Sequence, residues 1–350
     1  MRRPCSHSEA SWAGECEARA VSETSEPACE RVRTACAWVA DRARSVRIRE
    51  DAIAAYVASL PASGEAAPPN PATELTEGDR ESRAAFVICL DAINFGSGWW
   101  PTIRKRPGHS GYFTVAAGLT ERFRDVGPWS PAELRALDPP AIAAVLDQDS
   151  DHPLMADFAA ALRDVGQHVE VDHGDRFEAV IDAAGGSAPA LADILAGWAA
   201  FADVSSYDGR DVPFFKRAQI AAADVSRMGL AAANVDRVGL ADAPTAVEPG
   251  RLRDLDRLTA FADNLVPHVL RIDGVLRLDP ALEQRIEAGE LLAHGSPEEV
   301  ELRACAVQAI ELLSAVSPLT PAEIDSALWH RGRAERYKSL PRPRSRNTAY

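Results

Sequence analysis

Residues 211–228 read DVPFFKRAQIAAADVSRM, a stretch whose apolar residues repeat with the period of an α-helix. Lys216 and Arg217 fall outside the apolar stripe. The simpler interpretation makes both of them solvated surface charges, and the alternative is an anion or phosphate contact near the helix start, where free backbone N–H groups favour negative charge. The stripe itself follows the spacing i, i+4, i+7, i+11 and i+14, and consists of Phe214, Ala218, Ala221, Val225 and Met228.

The same helical period recurs along most of the chain. It is present in residues 32–39 and 53–60, and Ser130 and Pro131 open a further helix as cap and first-turn residue. A helix that begins at Pro153 is predicted to end at Gly166. Alanine, the best helix former, dominates these segments, and few alternating runs of Val, Ile and Thr favour a sheet. We therefore predict an all-α fold with a single helical domain over residues 31–350.

The first 30 residues differ in composition from the rest. They are rich in Ser, Glu, Ala and Cys and hold almost no large aliphatic side chains. Such a segment buries too little apolar surface to offset the entropy of ordering, so we predict a disordered N-terminal extension over residues 1–30.

The charge balance excludes several classes of partner. The chain has 350 residues, with 38 Lys and Arg against 52 Asp and Glu, and a net charge of −14. A protein that binds DNA or RNA through phosphates needs a basic footprint, so we expect no stable nucleic-acid partner. The sequence has no long apolar run and no CxxC pair, which favours a cytoplasmic protein without a membrane anchor or a zinc site. The histidines lack metal-site spacing, and no nucleotide-binding glycine motif is present, so we expect no metal and no cofactor.

Two aspartates stand out in AVEPGRLRDLDRLTAFADNLVPHVL, residues 246–270. Pro249 and Gly250 break the chain, and the apolar spacing from residue 255 to residue 265 then predicts a helix with Asp254 at or near its start. A capping role for Asp254 is the alternative to a functional one. Asp263 lies nine positions later, half a turn out of phase at about 100° per residue. Either the two carboxylates have separate roles or the helix is broken between them.

Two other charged segments leave alternatives open. In PEEVELRACAVQAIELL, residues 297–313, Glu301 and Arg303 are either solvent-facing or a buried pair. The run from Arg331 to Arg346 holds seven Lys and Arg and a single acid, Glu335. Such a run is usually a solvated tail, but in an acidic protein it is a local positive patch that suits one phosphate group.

Five strings, taken in order, strongly resemble the queuosine salvage protein family: INFGSGWWP (93–101), FFKRAQI (214–220), DLDRLTAFADNLVP (254–267), EVELRAC (299–305) and PRPRSRNTAY (341–350). The resemblance runs from about Val32 to Tyr350. It implies a helical fold similar to helix-hairpin-helix DNA glycosylases. It also implies hydrolysis of the N-glycosidic bond of queuosine 5'-monophosphate, which releases queuine and ribose 5-phosphate and makes the base available for insertion into tRNA.

The resemblance assigns roles to particular residues. It implies that Asp254 is the catalytic carboxylate, which stabilises or attacks the positively charged sugar as the C–N bond breaks. Asp263 is then a contact to the base edge or to its amine. Lys216, Arg344 or Arg346 is expected to bind the 5'-phosphate. The aromatic residues Phe95, Trp99 and Tyr112 either sandwich the flat base or are plain core. Asn94 and Tyr350 are the remaining expected substrate contacts.

The expected partner is therefore one small phosphorylated nucleotide, bound by a monomer. Two other functions compete with this one. A glycosylase-like fold also suits a DNA repair enzyme, although the acidic balance opposes it. A non-catalytic module that binds queuine or a nucleotide is the third possibility.

Overall fold

Helices dominate the computed structural model, which describes residues 26–61, 74–231 and 250–350. These residues form fifteen α-helices and four short strands. The mainly helical prediction is confirmed, with one correction, because the strands pair into two small sheets. The helices are α1 (Ala28–Arg42), α2 (Glu50–Val57), α3 (Arg80–Ala92), α4 (Gly111–Val126), α5 (Pro131–Arg135), α6 (Pro139–Leu146), α7 (Pro153–His173), α8 (Phe177–Ala183), α9 (Ala188–Ala196), α10 (Lys216–Arg227), α11 (Leu265–Ile272), α12 (Pro280–Glu287), α13 (Pro297–Ser314), α14 (Pro321–Arg331) and α15 (Glu335–Lys338).

The sheets are two antiparallel pairs formed by β1 (Val46–Ile48), β2 (Val204–Tyr207), β3 (Arg210–Pro213) and β4 (Leu276–Leu278). Strand β1 pairs with the distant β4. Strands β2 and β3 form a hairpin across Asp208 and Gly209, which both have positive φ. An Asp-Gly pair in this conformation is typical of tight hairpin turns. The all-α prediction did not include this local signal, because it rested on the helical period of the neighbouring segments.

Helix α13 is the centre of one half of the molecule and packs against α1, α11, α14 and β1. Ser296 caps it by accepting the N–H of Glu299, and proline occupies its first turn. The predicted apolar face is buried, and so are Glu301 and Arg303. They do not pair with each other, because Glu301 Oε2 accepts the backbone N–H groups of Ser45 (2.7 Å) and Val46 (3.1 Å) at the start of β1.

Helices α3 and α10 form the core of the other half. Helix α10 packs between α3 and α9, and α3 also contacts α4, α7 and α8. The helix predicted over the opening stretch is present, and its stripe from Phe214 to Val225 is buried. Lys216 and Arg217 are buried as well. The interpretation of these two residues as solvated surface charges is therefore wrong, because α10 is covered on more than its apolar face.

Two helix predictions are corrected. Helix α7 continues past Gly166 to His173. Gly166 lies where α7 contacts the start of α5, and a Cβ there would be 2.7 Å from the carbonyl oxygen of Pro131, so the glycine serves a close approach and not a helix end. The helix predicted from residue 255 is broken. Residues Leu255–Arg257 form a single 3-10 turn, and α11 begins only at Leu265.

The N-terminal boundary stays a prediction. Most of the predicted extension, residues 1–25, lies outside the described residues, and α1 begins at Ala28, inside the last part of it. Within the described ranges, no helix is both long enough and apolar enough to cross a membrane.

The close approach at Gly166 predicts a large effect of a small substitution. We expect Gly166→Ala to lower the free energy of unfolding by about 1–3 kcal/mol, because the new methyl group would meet backbone that has no room to move. Gly197→Ala is the matched control, since a Cβ there meets its nearest neighbour, the Ile194 carbonyl oxygen, only at 3.3 Å. Urea denaturation of both variants measures the difference. Equal losses in the two variants would contradict this account of Gly166.

Candidate active site

A buried ion pair connects Asp203, in the segment before β2, with Arg303 of α13. Arg303 Nη1 donates to Asp203 Oδ1 (3.0 Å), and Nη2 donates to Oδ2 (2.6 Å). Both side chains are 1% exposed. The guanidinium lies 3.9 Å from the ring centre of Phe214 and 4.7 Å from that of Tyr350. Although burial opposes it, the charges of Asp203 and Glu299 hold the pKa of Arg303 above its usual value.

This pair fixes the backbone of two segments that are far apart in sequence. Asp203 Oδ2 also accepts the backbone N–H of Lys216 (3.3 Å), at the start of α10. Arg303 Nε donates to the carbonyl oxygen of Ala262 (3.0 Å), the residue before Asp263. The pair therefore fixes the backbone positions from which the Lys216 and Asp263 side chains extend.

Lys216 is a buried cation held by carbonyl groups. Its Nζ donates to the backbone oxygen of Asn94 (2.8 Å) and to the side-chain oxygen of the same residue (3.3 Å). Burial lowers the pKa of Lys216 to about 8, and the negative charge of Asp263 opposes this shift. Whether Lys216 carries a positive charge therefore depends on its burial and on the charge of Asp263.

Asp263 is a half-buried carboxylate whose position is set by the following helix. Its Oδ1 accepts the N–H groups of Leu265 (2.8 Å) and Val266 (2.9 Å) at the first turn of α11. The next residue, Asn264, donates to the carbonyl oxygen of Pro343 (2.8 Å), which ties the segment to the end of the chain. The carboxylate is therefore oriented before any ligand binds.

Asp325 is a second carboxyl group beside Asp263, and the sequence analysis missed it. It lies on α14, is 4% exposed, and accepts the N–H of Phe261 at 2.9 Å. Burial, and then the charge of Asp263, raise the pKa of Asp325 well above its usual value. Two adjacent carboxyl groups in environments this different are the arrangement that separates an acid from a base. The sequence held one signal for Asp325: it precedes the aromatic residue Trp329 by four positions, so the two side chains lie on the same face of a helix.

Arg342 is the member of the C-terminal basic run that faces this cluster. Burial lowers its pKa, and the charge of Asp263 opposes the shift. Arg344 instead donates to the carbonyl oxygen of Gly289 (3.3 Å), and the exposed Arg346 lies over the ring of Trp99 (4.5 Å). The run was correctly singled out as a whole, but spacing could not identify its inward-facing member.

The aromatic residues singled out from the sequence lie in different places. Phe95 is core, 1% exposed, with its ring 5.0 Å from that of Phe158. Trp99 is covered on its ring by Arg346. Tyr112 faces Trp329 of α14, with ring centres 6.2 Å apart, and so lies on the side of α14 that carries Asp325.

Tyr350 belongs to the cluster. It is buried and lines, with Asp263, Arg303 and Pro343, a cavity of about 10 Å³, the space of roughly one water molecule. A larger groove of about 360 Å³ lies elsewhere, along Thr102, Asp149 and His152. We place the candidate site at the small cavity, because buried titratable groups meet there.

Asp254 lies apart from this cluster. It is exposed, precedes the 3-10 turn with a left-handed φ of 62°, and accepts a hydrogen bond from Ser187 Oγ (3.1 Å). The structure thus brings together Asp263, Lys216, Asn94 and Tyr350, and places Asp254, Phe95, Arg344 and Arg346 outside that group.

The arrangement suits one kind of chemistry. A carboxylate beside a neutral carboxylic acid stabilises developing positive charge while the acid serves a leaving group, as in glycosidic bond cleavage. Lys216 and Arg342 add positive charge on the same cluster, which favours a substrate with an anionic group.

Comparisons with known proteins agree with this chemistry. A family model described as "Queuosine salvage protein" matches residues 74–350. A protein of Sphaerobacter thermophilus named queuosine 5'-phosphate N-glycosylase/hydrolase is 34% identical over 323 residues, which cover 89% of this chain and 95% of the relative. Proteins with the same name from Bos taurus and Mus musculus are 26% and 24% identical, over 67% and 78% of this chain and 68% and 83% of their own lengths.

The buried ion pair predicts a stability change. We expect Arg303→Met to lower the free energy of unfolding by about 3–5 kcal/mol, because it leaves the Asp203 carboxylate buried without its partner. The matched control is Arg135→Met, which removes a guanidinium from an exposed pair with Glu170 and should cost below about 1 kcal/mol. Chemical denaturation compares the two. A loss in Arg303→Met no larger than in the control would show that the pair is not a structural requirement.

Proposed function

The chain belongs to the queuosine salvage protein family, and from this premise we propose that it hydrolyses the N-glycosidic bond of queuosine 5'-phosphate, releasing queuine and ribose 5-phosphate. It is an N-glycosyl hydrolase of queuosine salvage. The observation that carries the proposal is that Asp263, which lines the small cavity, acts electrostatically on three further buried groups: Asp325, Lys216 and Arg342. This cluster supplies a carboxylate, an acid and cations, the groups that cleavage of a phosphorylated ribosyl–base bond needs.

We propose that Asp263, and not Asp254, is the catalytic carboxylate. Breaking the C1'–N bond leaves the electron pair on the base and builds positive charge on the sugar, so a fixed carboxylate close to the anomeric carbon lowers the barrier. Asp263 is oriented by two backbone N–H groups and faces other buried charges. Asp254 is exposed to solvent, where a carboxylate stabilises a cation far less.

Asp325 is suited to the departing base. Queuine is a 7-deazaguanine and carries carbon where purines have N7, so protonation at that position does not assist its departure. A carboxylic acid that stays protonated donates a hydrogen bond to another edge of the base as negative charge develops on it. The burial of Asp325 and its neighbour Asp263 support this role. Water then supplies the hydroxyl group that ends on the sugar.

The 5'-phosphate is assigned to the cations of the cluster. Lys216 and Arg342 both lie within the field of Asp263, on the side where the sugar would be held. Arg344 and Arg346 stay predicted phosphate contacts, although their observed partners are Gly289 and Trp99. Tyr112 and Trp329 are the aromatic pair best placed for the flat base, because Trp329 shares α14 with Asp325.

We extend the proposal to the finer features expected from the sequence. The protein acts in the cytoplasm as a monomer, without a stable nucleic-acid partner, and its helices are arranged as in helix-hairpin-helix glycosylases. The net charge of −14 supports the exclusion of nucleic acid. Light scattering and retention on heparin test the oligomeric state and the nucleic-acid point, and superposition on such glycosylases tests the arrangement of the helices.

The two aspartates predict opposite outcomes of the same substitution. We expect Asp263→Asn to lower kcat for queuosine 5'-phosphate by about 100-fold or more, because it removes the charge that stabilises the transition state while keeping the size of the side chain. Asp254→Asn is the matched control and should stay within about twofold of the unmodified protein, as exposed substitutions usually do. Chromatography of released queuine measures both. A large loss in Asp254→Asn with near-normal turnover in Asp263→Asn would return the catalytic role to Asp254.

The pKa of Lys216 predicts a pH dependence. Burial lowers it to about 8 in the free protein, so the positive charge is present below that pH and is lost as the pH rises through it. We expect kcat/KM for the phosphorylated substrate to fall between about pH 7 and about pH 10, since kcat/KM reports the free enzyme. Lys216→Arg keeps its charge across this range and should flatten the profile.

Lys216→Met serves as the second comparison for this prediction. It has no charge at any pH, so its kcat/KM should be low throughout and should not fall further above about pH 8. A fall of equal size in the unmodified protein and in both variants would assign the pH dependence to another group.

A further inference from the structure

A second acidic pair lies next to the cluster, and the mechanism above does not use it. Asp91, near the end of α3, is 0% exposed. Its Oδ1 accepts the side-chain N–H of Asn94 at 3.3 Å, while its Oδ2 is buried and has no hydrogen-bond partner among the described residues. A buried carboxyl oxygen without a partner is costly and is rare in native structures, so it points to a group that is yet to bind.

Asp224 of α10 is the other member of the pair. Burial, and then the charge of Asp224, hold the pKa of Asp91 well above its usual value, so the two carboxyl groups are close. Arg227 Nε donates to Asp224 Oδ1 at 3.2 Å, but Arg227 also pairs with Glu74 at 2.9 Å. Arg227 is thus shared by two acids, and the charges of Lys216 and Arg227 do not offset the effect of burial and of Asp224 on Asp91.

The pair is connected to the proposed catalytic cluster through one side chain. Asn94 donates to Asp91, and the backbone and side-chain oxygens of the same Asn94 accept from Lys216 Nζ. Tyr112 is close enough to the pair that, after burial, the charges of Asp224 and Asp91 contribute to raising its pKa. A ligand whose sugar and phosphate lie at Asp263 and Lys216 would therefore extend its base past Tyr112 towards the acidic pair.

We propose that Asp91 and Asp224 bind the secondary ammonium group on the side chain of the queuine base, an inference that rests on the proposed function. A secondary ammonium has two N–H donors and one positive charge, which matches one hydrogen bond to each carboxyl group. Binding it gives the unpartnered oxygen of Asp91 a donor and adds a positive charge beside the two carboxyl groups. The pair would then select alkylammonium-bearing 7-deazaguanine nucleotides over neutral ones.

The test compares two substrates that differ at one group. They are 7-(aminomethyl)-7-deazaguanosine 5'-phosphate, which carries an ammonium, and its 7-(hydroxymethyl) analogue, which is neutral and of similar size. We expect the full-length protein to prefer the ammonium substrate in kcat/KM by about 10- to 100-fold, the usual worth of a hydrogen bond to a charged group. In Asp224→Asn this preference should shrink to within about threefold, because the variant keeps the shape and loses the charge.

Two further proteins make the result decisive. Glu170→Gln, which removes a carboxylate from an exposed pair with Arg135, is the matched control and should keep the full preference. Asp91→Asn should act like Asp224→Asn. If the buried Asp91 variant does not fold, as judged by its thermal unfolding, the partly exposed Asp224 variant alone decides.

The two proposals fail in different ways. If the unmodified protein does not release queuine from queuosine 5'-phosphate, the proposed function is wrong; calorimetric binding of free queuine against 7-(hydroxymethyl)-7-deazaguanine then tests the ammonium site by itself, with the same Asp224→Asn comparison. If queuine is released but the preference for the ammonium substrate is absent, or is equal in the unmodified protein and in Asp224→Asn, the ammonium site is overturned while the proposed function stands.

Discussion

The buried Asp203–Arg303 ion pair is the interaction on which the site depends. It joins α13 to the segment that leads into β2, and its two members also hold the backbone of Lys216 and of Ala262, next to Asp263. A charge this far from water is tolerated only when it is paired and hydrogen-bonded, so the pair permits little variation in backbone position. The positions of Lys216 and Asp263 are consequences of that requirement.

Around this anchor, the carboxyl groups differ in their environments and therefore in the roles they suit. Asp263 is half-buried and oriented by the first turn of α11, whereas Asp325 is buried, and burial together with the charge of Asp263 raises its pKa well above the usual value. Asp91 and Asp224 form a second pair beyond Lys216, where Asn94 connects the two groups. These aspartates therefore lie in different environments, and burial together with neighbouring charge makes the difference.

Much of the fold was predictable, and less of the site. The 3.6-residue period identified α1, α10 and α13, and the strings around Lys216 and Asp263 indicated the family. Of the two alternatives left open after Asp254, the broken helix is the one observed, because apolar spacing does not register the left-handed φ of Asp254 or the break before Leu265. The apolar spacing had placed Asp254 at a helix start, whereas both aspartates had been singled out as site residues through the family resemblance. The small sheets were missed because strands of three or four residues are too short to produce a clear alternation.

The sequence by itself determined the helical character, the positions of many helix starts, the acidic balance and the membership of the family. These properties depend on local spacing and composition, which a single chain displays directly. The tertiary structure alone decided which charged residues are buried and which of them meet. Asp203 and Arg303 are 100 residues apart, and Lys216 reaches Asn94 across 122. The field that sets the ionisation of Lys216, Asp325 and Asp91 arises only when such distant groups are packed together away from water.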